Sequence, residues 1–355
     1  MLKIFLVAFA ESLVFTWIAI RVALKLGILD QPAERKIHAK PMPLLGGVAV
    51  FGAFSLSLLM NFHFSLGLKG IVLGSLILMA SGVVDDIRGL SARFRLLLQV
   101  LCAAIVIAHG VCLNTFPEAS PAGNVLNIAL TVLWIVGITN ATNFMDGADG
   151  LAAGMAAIAS LAFFFIAYQT GQTYFAFLNM ALAGACMGFL VFNFHPAKIF
   201  LGDAGSSFLG FSLASLAVMG EWAEKKPIVA LAIPILILAV PIFDIAYISV
   251  SRIARGDVRN FKEWIEYVGK DHLHHRLAAM GFSHKEMVTF IYLICAVFGV
   301  GALTLKDATT QQSLLLVLQA CVILTVITVL MLVGNANMAK RRLYEKRIRE
   351  MENKT

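Results

Sequence analysis

The stretch Asn140-Ala-Thr-Asn143-Phe-Met-Asp146-Gly147-Ala-Asp149-Gly150 interrupts a chain otherwise dominated by apolar runs. Two carboxylates, two side-chain amides and two glycines fall between an apolar run ending near Thr139 and another starting at Leu151. Ionisable groups at the edge of a bilayer are costly unless they are used. The stretch therefore reads as a polar loop between two membrane helices and as a candidate site.

The composition supports the membrane half of that reading. Hydrophobic residues make up 59% of 355 residues, charged residues only 14%, and the mean hydropathy is +0.85, far from the make-up of a soluble domain. The five cysteines stand singly, mostly inside apolar runs and without a Cys-x-x-Cys pair, which disfavours a disulfide framework or a zinc site. Ala8-Phe9-Ala10 resembles a signal-cleavage site, but the apolar run continues to Leu24, so residues 4–24 are expected to stay as a first span.

A helix needs about 20 apolar residues to cross the hydrocarbon core. Eleven runs qualify, some of them short, near 4–24, 44–62, 67–84, 95–111, 124–140, 151–169, 174–193, 204–220, 227–248, 286–304 and 312–334. The predicted fold is an all-α polytopic membrane protein, with one catalytic domain over 1–334 and a charged tail over 335–355. Positive residues accumulate on the cytoplasmic side. With the N-terminus outside, only Lys3, Lys69, Lys225, Lys226 and Lys306 of the 28 Lys and Arg fall on the outer side. The expected topology is N-terminus out and C-terminus in. The net charge of +7 then reads as a topology signal and a match to anionic lipid, and nucleic acid is not expected as a partner.

This topology puts every polar cluster on one face. Asp30 to Gly47, including Lys40, lies between the first two spans, and Asp85-Asp86-Ile-Arg88 follows the third. Asn193-Phe-His195-Pro-Ala-Lys198-Ile-Phe200-Leu-Gly-Asp203-Ala-Gly-Ser206 lies between the seventh and eighth, and His272-Leu-His274-His275-Arg276 stands in the loop after the ninth.

Aspartates gathered at an interface, with no cysteine near them, suit a hard cation such as Mg²⁺, with Mn²⁺ an alternative. Mg²⁺ fills its remaining positions with water and substrate phosphate oxygens, so a phosphorylated substrate is implied. Asp203 at the head of the eighth run, and Asp146 and Asp149 before the sixth, place carboxylates at helix starts, where free N–H groups and the dipole favour anions. Simpler readings stand beside these. Asp203 can be an ordinary N-cap. Asp85 and Asp86, about 100° apart on a helix, cannot both face one ligand in the same way, and one of them can cap or pair with Arg88. His272 and His275 can share a helix face. Phe261, Trp264, Ile265 and Val268 have the spacing of an amphipathic helix lying in the interface.

Together, Asn140-x-x-Asn143-x-x-Asp146-Gly-x-Asp149-Gly-Leu-Ala, Asp85-Asp86, Phe200-Leu-Gly-Asp203-Ala-Gly-Ser206 and His272-x-His274-His275 resemble the polyprenyl-phosphate N-acetylhexosamine-1-phosphate transferase family, in the family's order and over nearly the whole chain. The resemblance implies transfer of a sugar 1-phosphate from a UDP-sugar to a polyprenyl phosphate with Mg²⁺, in the bacterial inner (plasma) membrane, with the site on the cytoplasmic face. It implies that Asp203, with Asp146, holds the metal and that Phe200 stacks on uracil. It gives Asp85 and Asp86, with His272, His274 and His275, to catalysis at the phosphates. Lys40, Asn140, Asn143, Asp146, Asp149 and Arg276 would bind substrate. His272-Leu-His-His-Arg-Leu resembles the branch that uses UDP-GlcNAc, whereas the peptidoglycan branch typically has Pro-x-His-His-His. A homodimer is left open. The alternative is an ion-coupled secondary transporter, whose carboxylates would sit near the membrane midplane in broken helices.

Overall fold

The computed structural model describes residues 1–31, 41–60, 65–117, 119–222, 227–267, 269, 271–305 and 307–352, without the side chains of 227, 261 and 335–352. Its helices are α1 (Leu2–Leu26), α2 (Gly46–Leu59), α3 (Leu66–Arg88), α4 (Ala92–Ala108), α5 (Pro121–Met145), α6 (Leu151–Gln169) and α7 (Thr173–Asn193). They continue as α8 (Gly202–Met219), α9 (Pro227–Ile237), α10 (Ala239–Arg255), α11 (Phe261–Glu266), α12 (Leu273–Ala279), α13 (His284–Leu303) and α14 (Thr310–Glu352). A short antiparallel pair, β1 (Leu29–Asp30) with β2 (Met42–Pro43), brackets the first polar loop.

Among the described residues, seven helices are long and apolar enough to cross a membrane, and eight if the bent pair Ile228–Ile237 and Ala239–Arg255 counts as one. The expected polytopic helical protein is thus seen, while three of the eleven expected runs give helices, α2, α4 and α8, outside that set. The run 44–62 yields a 14-residue α2, about 21 Å long, and α4 begins with Arg93 and Arg95. Helix α8 opens on polar Asp203, Ser206 and Ser207. It can tolerate them because most of its residues are buried among neighbouring helices and face no lipid. The run 227–248, expected to be one span, bends by 84°.

Helices α6 and α7 are the interior, each 72% buried over its apolar window, while α1 and α14 lie outermost at 28% and 22%. Lipid tails are as apolar as leucine, so close packing rather than hydrophobic burial holds such helices together. The α1–α7 contact shows this. A Cβ on Gly184 or Gly188 would come 2.4 Å from the Phe5 or Phe9 carbonyl oxygen, and Ser12 donates to the Ala185 carbonyl at 2.6 Å.

Helix α8 organises the rest, packing on α2, α3, α5 and α6. Two glycines let its first turn be approached from both sides. A Cβ on Gly47 would fall 2.2 Å from the Gly205 nitrogen, and one on Gly82 would fall 2.3 Å from the Ala204 Cα. The Gly46 and Gly47 N–H groups also donate to the carbonyls of Phe200 and Leu201, at 3.1 and 2.8 Å. The C-terminal ends of α3 and α5 thereby meet the N-terminal end of α8, which is where the motif aspartates lie.

Candidate active site

Asp85 and Asp86 occupy the last turn of α3 and point different ways, as their helical spacing requires. Asp86 reaches across to α8, where its carboxylate accepts the Asp203 N–H at 2.8 Å and the Ala204 N–H at 3.3 Å. It therefore caps the α8 N-terminus from another helix. Asp203 is not the cap: it sits in the first turn, and no side chain caps that helix from its own sequence. Its carboxylate is left for other work. Gly202, at φ 74°, makes the turn that brings Asp203 past Asp86.

Asp85 is nearly buried and is held by the Leu90 N–H at 2.5 Å and by Arg95 Nη1 at 3.0 Å. Arg95, not Arg88, is its partner. The same guanidinium lies 3.7 Å from the Asp203 carboxylate. On the other side, the Asn143 side-chain amide donates to Asp203 Oδ1 at 2.8 Å and to Ser206 Oγ at 2.7 Å. Asn140, one turn earlier, is used in helix packing: its Nδ2 donates to Gln99 Oε1 at 2.6 Å and to the Val136 carbonyl at 2.8 Å.

Asp146 terminates α5 beside this group. No described residue donates to its carboxylate. Burial, together with the negative charges of Asp203, Asp86 and Asp149, pushes its pKa well above the usual carboxylate range. An oxygen-only donor set in which one carboxylate lacks a counter-charge fits a hard divalent cation. Asp149 turns away from the group, and its Oδ2 is bound by His195 Nδ1 at 2.8 Å and by the Ala197 N–H at 3.1 Å.

His272 does not share a helix face with His275, because it is the residue preceding α12. Its Nδ1 lies 2.6 Å from Asp244 Oδ2, and the other Asp244 oxygen accepts the Leu273 N–H at 2.7 Å. His274 is buried, and neither of its ring nitrogens has a hydrogen-bond partner among the described residues. Burial, and then the neighbouring His275, His272 and His284, drive its pKa well below 6.5. It packs on the polar loop so closely that a Cβ on Gly147 would stand 2.3 Å from its Nε2. The rings of His274 and His275 are 4.1 Å apart.

Arg276 is engaged locally. Its Nε donates to the Asp271 carbonyl at 2.7 Å and its guanidinium lies 4.8 Å over the Tyr247 ring. Asp271 is clamped by buried Arg252 through two bonds of 2.9 and 2.7 Å. Phe200 is half-buried at the turn into α8, its backbone bonded to Pro43 and Gly46. Lys40 lies outside the described residues. The amphipathic helix expected over 261–268 is the six-residue α11, whose Trp264 indole donates to Ser249 at 2.9 Å.

The structure thus gathers Asp85, Asp86, Asn143, Asp146 and Asp203 around one point and sets the histidine segment against Gly147. It adds Arg95 and Asp244, which no motif announces. Arg95 reads as one more topology charge. Asp244 stands alone inside an apolar run, and its being ionisable there was the available signal.

The fold and this site define a membrane-embedded, aspartate-rich transferase class, and the comparisons agree. Residues 68–221 match glycosyl transferase family 4. A Bacillus subtilis protein described as a probable undecaprenyl-phosphate N-acetylglucosaminyl 1-phosphate transferase is 37% identical over 319 residues, spanning 88% of this chain and 87% of the relative. The decaprenyl-phosphate N-acetylglucosaminephosphotransferase of Mycobacterium tuberculosis is 32% identical, covering 79% of this chain and 76% of its own length. The undecaprenyl-phosphate alpha-N-acetylglucosaminyl 1-phosphate transferase of Yersinia pestis is 28% identical, with 81% and 80% covered. The chain belongs to glycosyl transferase family 4, the polyprenyl-phosphate N-acetylhexosamine-1-phosphate transferases. These findings support the transferase reading over ion-coupled transport.

Proposed function

We propose that this chain transfers N-acetylglucosamine 1-phosphate from UDP-GlcNAc to undecaprenyl phosphate, releasing UMP and initiating a cell-surface polysaccharide. The observation that carries the reading is the meeting of Asp203, Asp146, Asp86 and Asp85 with Arg95 and Asn143 at the ends of membrane helices. A membrane-bound phosphate and a water-soluble nucleotide can reach such a place together.

Asp203 and Asp146 are the residues that would hold Mg²⁺, or Mn²⁺ by the same oxygen chemistry. The ion would supply charge neutralisation at the diphosphate. Asn143 orients Asp203, and Asp86 holds the α8 N-terminus in place, so the metal-facing carboxylate is fixed before substrate arrives. An oxygen of the lipid phosphate attacks the sugar-bearing phosphorus as the bond to the UMP oxygen breaks, and UMP departs with the electron pair. A phosphate monoester has a second pKa of about 6, so at neutral pH it is mostly the dianion already. Asp85 then has little proton to remove. Tied to Leu90 and Arg95, it instead fixes where the incoming phosphate meets the guanidinium. Phe200, half-buried three residues before Asp203, is the surface for uracil.

The membrane frame belongs to the same reading. Counting α2, α4 and α8 as crossings, and the bent pair as a single one, raises the seven apolar helices to the eleven of the hydropathy pattern. The placement of Lys and Arg then puts the N-terminus outside and the site on the cytoplasmic face of the plasma membrane.

The test is incubation of purified protein with radiolabelled UDP-GlcNAc, undecaprenyl phosphate and Mg²⁺. Lipid-soluble label with one UMP released per label transferred is expected. Absence of lipid-soluble label with any UDP-N-acetylhexosamine would overturn the proposal.

A further inference from the structure

Beside the aspartate group, two elements distant in sequence converge on Asp149. His195, in the loop after α7, contacts its carboxylate through Nδ1 at 2.8 Å, and His284, the first residue of α13, contacts its carbonyl through Nε2 at 3.0 Å. The two imidazoles stack, with centroids 4.3 Å apart and planes 22° from parallel. One nitrogen from each ring and one carboxylate oxygen all lie within 4.8 Å of one another, and this is the one such His, Cys, Asp or Glu group of three or more among the described residues.

His195 and the Ala197 N–H hold the Asp149 carboxylate and His284 holds its carbonyl, so both imidazoles stand at one residue, each with a ring nitrogen near a carboxylate oxygen. Two imidazole nitrogens with one carboxylate form an open, three-ligand set for a borderline transition metal, the remaining position going to water. The donor chemistry separates this place from the aspartate group. Mg²⁺ takes oxygen ligands, whereas imidazole nitrogen suits Zn²⁺ and its neighbours in the transition series. Bonds of about 2.1 Å in tetrahedral geometry need ligand atoms about 3.4 Å apart, so the 2.8 Å His195–Asp149 contact must open slightly and the wider separations, up to 4.8 Å, must close. Rotation of His195, whose side chain is 40% exposed, supplies that movement and an entry path.

We propose that Asp149, His195 and His284 form a transition-metal site of the Zn²⁺ class, distinct from the aspartate group. Occupancy would tie the loop between α5 and α6 to the start of α13. Asp149 shares that loop with Asp146, so a bound transition metal would draw the loop away from the aspartate group and lower turnover.

The experiment is titration of tag-free, detergent-purified protein with Zn²⁺ under saturating Mg²⁺, read by competition with a fluorescent Zn²⁺ chelator. Wild type is expected to bind one Zn²⁺ per chain, and both His284→Gln and His195→Gln to lose that binding. Cys321→Ser, which removes an exposed thiol, should bind as wild type does. Zn²⁺ should lower Mg²⁺-dependent turnover in wild type and not in His284→Gln, whose turnover without Zn²⁺ should be unchanged. No Zn²⁺ bound by wild type, equal binding by the histidine variants, or loss of binding in Cys321→Ser would each overturn the proposal. Because binding is read directly, failure here is separate from failure of the transferase reading.

Discussion

Asp244 and His272 form a buried carboxylate–imidazole pair, 2.6 Å apart across 28 residues of sequence, and the second Asp244 oxygen also holds the backbone of the next residue, Leu273. One carboxylate thereby fixes the ring nitrogen that bears the proton and the place where α12 begins. Orientation of this kind is worth several kcal/mol of barrier. Asp244→Asn keeps the size but offers His272 the wrong partner. We expect the turnover number to fall by about a hundredfold with the substrate KM little changed, measured by steady-state transfer kinetics. A change confined to thermal stability would reduce the pair to a fold contact.

Asp203→Asn should lower transfer by about a hundredfold, roughly 3 kcal/mol of barrier, and raise the Mg²⁺ concentration needed for half-maximal rate. The fold should hold, because the α8 N-terminus is capped by Asp86 and not by Asp203. Near-normal turnover with an unaltered Mg²⁺ requirement would show that the carboxylate holds no metal.

Asp86 gives the converse pattern. Asp86→Ala strips two N–H groups of their acceptor and should cost about 1 to 2 kcal/mol of stability, seen as a lower unfolding temperature in detergent. Asp86→Asn keeps an acceptor and should recover most of that stability. If both variants unfold like wild type, the cap contributes nothing.

Asp85→Asn tests positioning against proton abstraction. If Asp85 positions the phosphate through Arg95, the variant should be slower by a similar factor from about pH 6.5 to about 9, because the lipid phosphate ionises unaided above about pH 6. A defect that vanishes as pH rises would assign it the role of base.

His274 predicts a pH dependence of stability. Its native pKa is driven well below the unfolded value of 6.5 by burial and by the surrounding histidines. As pH falls below 6.5 the unfolded chain takes up a proton that the native ring refuses, so native stability falls with pH in that window. His274→Gln should flatten the decline in denaturation midpoint between about pH 6.5 and pH 5. An equally steep decline in the variant would place the titration elsewhere.

The sequence by itself determined the class of molecule, because hydropathy and charge placement are local properties that a bilayer reads directly. It also marked Asp85, Asp86, Asn143, Asp146 and Asp203, since carboxylates and amides between apolar runs have few other reasons to be there. Only the tertiary structure decided what each does. That Asp86 caps α8 depends on Gly82 letting α3 approach Ala204, and that Asp85 binds Arg95 depends on how α4 returns beside α3. Asn140 has the same motif credentials as Asn143, yet one turn of helix aims it at Gln99. Asp244 and His272, and likewise Asp149, His195 and His284, belong to separate elements of the chain, so no spacing rule could join them. Their meeting is a product of packing, and packing is where side chains that no motif links are brought within hydrogen-bonding distance.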